Sequence, residues 1–313
     1  MKLIKAVNEY IEYRRGLGIR GNADAQDMKA LCRVVGAKAR VENITEKQIE
    51  TFFAGKCCGP RSRKRKYYSL RGFERFAVRR GYIVRLPVGE APRTGPPTFV
   101  PYILGREELR RLFDAIPLHR RRVYKLQTLT ERTVLLLLYG AGLRISEAIS
   151  LNLADVDLSA ALLTVRDTKF YKTRLVPLGP QLNRVMSIYA KWRMTDGYAQ
   201  DGISPFFVVR SGARLKDGTV RKSFRRLRNY ARICRPGGQR PRLHDLRHSF
   251  AVHRLVAWYQ QGADVQRLLP KLVVYLGHVR LSSTQVYLTM TPDLLQQASA
   301  RFEKYAASEV CHE

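Results

Sequence analysis

Apolar side chains recur every three to four residues over most of the first eighty positions, the period of a helix with one buried face. Val7, Tyr10, Ile11 and Leu17 predict a first helix that stops near Gly16 to Gly21. Met28, Leu31, Cys32 and Val35 predict a second. Thr45 precedes Ile49, Phe52 and Phe53, and Gln48 stands three residues after it, the spacing of a capping box opening a third helix. Leu70, Phe73, Phe76 and Ala77 set a fourth, which the run Arg61, Ser62, Arg63, Lys64, Arg65, Lys66 opens. Pro87, Pro92, Pro96, Pro97 and Pro101 then interrupt the pattern. Proline fixes φ and removes a donor, so this stretch reads as a linker.

Beyond it, residues 106–116 and 130–141 again keep helical spacing. Residues 161–165 and 174–178 are short apolar runs on either side of Asp167, Thr168, Lys169, Phe170, Tyr171 and Lys172, a hairpin signal. Residues 206–209 are expected to add a third strand, and the chain from about Val220 reads as helical. The fold class is therefore mainly α with a small antiparallel β-sheet (α+β). Expected boundaries are a helical domain over 1–88, a linker over 89–101, a second domain over 102–290 and a helical tail over 291–313.

Composition narrows the function. The 313 residues include 57 Lys+Arg and 26 Asp+Glu, a formal net charge of +31. Residues 1–100 carry +13 and residues 101–313 carry +18, so both halves are basic. Such self-repulsion points to a polyanionic partner, and nucleic acid is the commonest, because Lys and Arg displace counterions from phosphates. A hydrophobic fraction of 45% excludes a disordered basic tail. No run approaches the ~18 apolar residues of a membrane helix, and the charged, periodic N-terminus lacks the apolar centre of a secretory signal. Five cysteines, two of them adjacent, show no metal-binding interval with histidine. The expectation is a reduced, cytoplasmic, nucleoid-associated chain with double-stranded DNA as partner and with neither cofactor nor metal. Arg61, Arg63, Lys64, Arg65 and Lys66, at a helix start, are the candidate DNA-backbone contacts.

Four histidines lie between residues 244 and 278. His244 and Arg247 are spaced i, i+3 and share a helical face. Arginine repels a metal cation but grips two phosphate oxygens, and histidine can donate a hydrogen bond or move a proton, so the pair suits an anion. His248 and His253 fall on other faces and read as packed or surface histidines. Gly140, Ala141, Gly142, Leu143, Arg144, Ile145, Ser146 and Glu147 form a glycine turn that delivers Arg144 to a helix start. Leu276, Gly277 and His278 are followed nine residues later by Tyr287.

The ordered set Gly-Leu-Arg-Ile-Ser-Glu, His-Asp-Leu-Arg-His, Leu-Gly-His and Tyr resembles the tyrosine recombinase (phage integrase) family over residues 102–290. The resemblance implies a helical core-binding domain before a catalytic domain. It makes Arg144, His244, Arg247 and His278 catalytic, Tyr287 the nucleophile and Glu147 the support of the first arginine. The hairpin lysine is matched by Lys169, with Lys172 in competition. The implied activity is site-specific recombination of the integrase or transposase type through a 3′-phosphotyrosine, without metal or ATP. A tetramer on DNA, accessory recombination proteins and a mobile genetic element are also implied. A type IB topoisomerase, sharing the cleavage step, is the alternative. In the tail, Leu294, Leu295, Ala298, Phe302 and Tyr305 approximate one helical stripe, which packs on its own domain or docks on a neighbour. Between Arg247 and His278 the chain is longer than in compact members, with an interior Pro270. No arm-site DNA-binding domain is expected before the first helix.

Overall fold

The computed structural model describes residues 1–19, 22–55, 59–92, 100–119, 126–166, 173–235 and 237–277, with positions 296 and 299. The chain divides into two compact units, one ending at Phe99 and the other beginning at Val100.

The first unit is built of α1 (Leu3–Gly16), α2 (Asn22–Val35), α3 (Glu46–Ala54) and α4 (Pro60–Arg79). The Thr45–Gln48 capping box forms: the Gln48 amide donates to Thr45 Oγ1 at 3.3 Å and the Thr45 amide to Gln48 Oε1 at 2.9 Å. Pro60 occupies the first turn of α4, where its missing N–H costs nothing. Leu3, Val7, Tyr10, Met28, Leu31, Phe52, Leu70 and Phe73 close the core, each apolar side chain contributing about 2 kcal/mol by leaving water. A polar staple joins α2 to α4, with Ser69 Oγ donating to Asp24 at 2.8 Å and to Asp27 at 3.1 Å.

The second unit opens with α5 (Arg106–Asp114), α6 (Thr128–Gly140) and α7 (Ile145–Ser150). The three-stranded sheet follows: β1 (Val156–Asp157), β2 (Leu162–Val165) and β3 (Arg174–Pro177), antiparallel in that order. Leu163 pairs with Val156 on one side and Val176 on the other. Then come α8 (Pro180–Thr195), α9 (Asp217–Tyr230), α10 (Asp245–Gln260) and α11 (Val265–Leu276). Helix α6 packs against both α8 and α10. It buries Val134, Leu135, Leu137 and Leu138, the apolar run of its C-terminal half. The long stretch after Arg247 forms the rest of α10, a turn at Gly262 and α11, which runs through Pro270.

One expectation about the fold needs correction. The third strand of the sheet is Val156–Asp157, not residues 206–209. Phe206, Phe207 and Val208 are all buried instead of alternating. The two phenyl rings lie 5.4 and 5.3 Å from the Tyr189 ring, so this segment is held by packing and makes only isolated bridges. Helix α8 is an additional element of this unit, opened by Pro180 in its first turn.

The turn from α6 to α7 depends on Gly142. Its φ is +59°, and a Cβ there would meet Phe250 at 2.5 Å and Leu276 at 2.9 Å. Gly142→Ala is therefore expected to destabilise the second unit by about 3 kcal/mol, from the left-handed backbone and the overpacking together. Urea denaturation checks this, and an unchanged midpoint refutes it.

Candidate active site

The α6–α7 turn, the first strand residue after the hairpin and the C-terminus of α11 converge on one carboxylate. Arg144 is the N-cap of α7, and Glu147 sits in its first turn. The Arg144 amide donates to Glu147 Oε2 at 2.9 Å and its guanidinium to Oε1 at 2.7 Å. Arg174, at the start of β3, forks onto the same carboxylate at 3.1 and 2.8 Å. Arg247 approaches it at 3.9 Å. Burial pushes the Glu147 carboxyl up. The hydrogen bond and charge of Arg174, then those of Arg144, overcome this and hold it at about 2.

Three consecutive carbonyls at the end of α11 each accept from a different arginine. Arg174 Nε donates to Tyr275 O at 3.0 Å, Arg247 to Leu276 O at 2.6 Å and Arg144 to Gly277 O at 2.9 Å. These carbonyls are the negative end of the helix dipole, so cations there are favoured. Gly277 ends the helix at φ +66°, and a Cβ on it would meet the Arg174 guanidinium at 2.7 Å. Arg247 also donates to Gly142 O at 2.7 Å and is 1% exposed, whereas 34% of the Arg144 side chain faces solvent. Arg144 is therefore the more accessible of these two guanidiniums.

His244 opens α10. The chain before it is fixed by the Arg242 amide, which donates to Asp245 Oδ2 at 2.7 Å, and by Arg228, which donates to Pro241 O. The His244 ring stands 4.7 Å from that of His248, edge to face, so His248, four residues on, shares the His244 face and does not fall on another as expected. Burial first, then the charges of His248, Arg247 and Arg144, depress His244 to about 4; burial and the charges of Arg242 and Arg247 do the same to His248. At neutral pH His244 is thus an uncharged imidazole, able to accept a proton. Histidines depressed in the fold bind fewer protons than the unfolded chain does between about pH 6.5 and 4. Their contribution to stability is complete above pH 6.5 and is lost as pH falls to about 4. The denaturation midpoint should fall across that window, and His244→Gln should shrink the fall; a midpoint insensitive to pH there refutes this.

Of the sequence-predicted site residues, Arg144, Glu147 and Arg247 are brought together, with His244 one turn before Arg247 on α10. Lys169, its competitor Lys172, His278, Tyr287 and the tail stripe lie outside the described residues. In the first unit, Arg61 and Arg63 are exposed on α4. Arg65 is exposed too, but forks onto Asp27 at 3.1 and 2.8 Å. Lys66 donates to Phe52 O at 2.7 Å and lies over the Phe52 ring. These last two serve the packing of the unit as well as its charge.

Two groups went unread in the sequence. Arg174 is one. The other is the exposed face of α9, with Arg221, Lys222 and Arg225 around a pocket of about 210 Å³ that Arg228 and Arg242 also line. Residues 210–242 hold twelve Lys or Arg against one acid, Asp217. The signal was Val220, Phe224 and Leu227 at helical spacing, with Arg221, Lys222, Arg225, Arg226 and Arg228 among the positions between and after them.

The model of the phage integrase family matches residues 103–293. The chain belongs to that family. It is 34% identical to the Sinorhizobium fredii protein y4rB, named as a candidate integrase/recombinase, over 96% of both chains. It is 34% identical to the tyrosine recombinase XerA of Thermococcus kodakarensis over 74% of this chain and 72% of that one. Among solved structures, the Tn1549 transposon integrase superposes with a TM-score of 0.67 at 17% identity, covering 97% of this chain and 99% of that one. The XerH site-specific recombinase superposes with a TM-score of 0.65 at 17% identity and 96% coverage of both chains. As a phage integrase family member, the chain is a site-specific DNA recombinase, an enzyme that breaks and rejoins DNA. Relatives named as recombinases and integrases do not favour the topoisomerase alternative.

Proposed function

We propose that the chain cleaves DNA through a 3′-phosphotyrosyl intermediate built by Tyr287 in a site set by Arg144 and Arg247. The single observation that carries this is the pair of guanidiniums held about Glu147, with an uncharged His244 on the helix that bears Arg247.

A phosphodiester repels nucleophiles, and more charge builds in the five-coordinate transition state. Preorganised guanidiniums offset that charge by several kcal/mol. Tyr287 has an ordinary pKa of about 10 and needs a base, for which His244 is suited. Its oxygen forms the new bond to phosphorus as the bond to the 5′-oxygen breaks. The phenolic proton passes to His244, and Lys169, or Lys172 beside it, gives a proton to the leaving oxygen. His278 donates a hydrogen bond to the phosphate. The bond energy stays in the ester, so a second 5′-hydroxyl can attack without ATP.

Residues 1–88 act as the DNA-clamping, core-binding domain, 89–101 as linker and 102–290 as catalytic domain. Arg61, Arg63 and Lys64 on α4 and the basic face of α9 contact the backbone, with Arg65 and Lys66 adding charge. The lambda integrase has been solved as a tetramer on a Holliday junction, which supports four protomers here, with residues 291–313 as the protomer contact. Mobile-element movement, accessory proteins and a cytoplasmic location on the nucleoid complete the reading. Among the described residues, no helix is long and apolar enough to cross a membrane.

The test is covalent capture. Denaturing the protein on fragmented genomic DNA and sequencing the attached ends should return one recurrent site joined through a 3′-phosphate to a peptide containing Tyr287. Attachment to another residue, or no attachment, refutes the proposal.

A further inference from the structure

We infer that Arg174 is a positioning residue of the phosphate clamp: it neutralises Glu147, so that Arg144 and Arg247 keep their full charge for the reacting phosphate. The inference rests on the clamp reading above and extends it to a residue that no motif marks.

The geometry fixes what Arg174 does. Its side chain is 11% exposed, and its guanidinium directs both terminal nitrogens at Glu147 and Nε at Tyr275 O. A guanidinium so placed cannot reach a phosphate while those bonds hold. Glu147 Oε1 is shared between Arg144 and Arg174, and Oε2 between Arg174 and the Arg144 amide. Four donors saturate the carboxylate. Three guanidiniums against one carboxylate leave a net charge of +2, matching the two negative charges of a five-coordinate phosphorane.

Without Arg174 the balance changes. The cluster falls to +1, and Glu147 loses its fork. Arg144 is then free to turn both nitrogens onto the carboxylate, leaving Gly277 O and any phosphate. Charge-assisted, two-pronged bonds of this kind are the strong ones, so the competition is real. A lysine at 174 keeps the charge and loses the fork.

The experiment measures covalent adduct formation on a nicked duplex built on the captured site. The scissile group is either the phosphodiester or a methylphosphonate, whose transition state carries one negative charge fewer. Arg174→Ala should slow the phosphodiester by roughly 10²-fold, the loss typical of one oxyanion donor, and the methylphosphonate by less than about tenfold. Glu147→Gln combined with Arg174→Ala should be no slower than Glu147→Gln alone, because the charge to be neutralised is gone. Equal losses on both substrates, or additive losses in the double variant, overturn the inference. Arg144→Ala is the reference: if methylphosphonate does not ease its defect, the clamp itself is wrong, whereas easing there but not for Arg174→Ala rejects only the role of Arg174. Melting temperature and DNA affinity report whether each variant folds. If the alanine variant does not fold, Arg174→Lys decides, with a phosphodiester loss below about tenfold in support and one of 10² or more against.

Discussion

Tyr287→Phe should bind the target duplex within about threefold of the unaltered chain and form no covalent adduct, a loss on the order of 10⁴-fold or more. The change removes one oxygen atom from the side chain. Affinity for DNA comes from Lys and Arg at phosphates and from the net +31 charge, and it should be untouched. The covalent step needs a nucleophile that a phenyl ring does not have. Water could still be activated by His244, but a strand cut by water would carry a free 3′-phosphate and no protein. Electrophoresis under denaturing conditions, with a filter-binding measurement beside it, separates the two quantities. Adduct in the phenylalanine variant would show that another residue attacks, and joint loss of binding and adduct would show that the side chain is structural.

Much of the fold was open to inspection in the sequence because helices with one buried face carry a period. The capping box at Thr45, the apolar positions of α1 to α4 and the hairpin strands all follow local rules. Strand β1 did not, since two residues have no period. Helix α8 carried a usable signal, Gly179 and Pro180 followed by Leu182, Met186 and Tyr189, but its charged positions broke the apolar pattern. The run of basic residues from Arg61 to Lys66 read as one patch. A helix turns neighbours to different sides, which sends Lys66 to Phe52 O while Arg61 and Arg63 stay at the surface.

The candidate site divides the same way. Arg144, Glu147, His244 and Arg247 lie in short ordered blocks. Arg174 is 27 residues from Glu147 and 101 from Tyr275, and only folding brings these groups together. The acceptors are backbone carbonyls, which no side-chain pattern reveals.

Arg144 and Arg247 should differ sharply in what their loss does to stability while costing cleavage about equally. In the proposed clamp each contributes one guanidinium charge at the phosphate, Arg144 from the accessible side and Arg247 from beneath, so replacement of either by alanine should slow adduct formation on the order of 10³-fold. Arg247 is 1% exposed and donates to Gly142 O and Leu276 O. Its removal leaves two carbonyls without that donor, a void the length of the side chain and a weaker field at Glu147. Breaking a buried charged cluster in this way should cost about 4 kcal/mol, enough to lower the urea midpoint of the second unit clearly. Arg144 is one-third exposed, and Glu147 keeps the Arg174 fork without it, so Arg144→Ala should cost about 1 kcal/mol. Arg247→Lys, which restores charge but not the two-carbonyl reach, should recover part of the stability and little of the rate. Urea titrations paired with single-turnover cleavage test the pattern. Equal destabilisation by the two alanine variants would mean that burial does not set the difference, and a variant that cleaves at the unaltered rate would remove that arginine from the clamp.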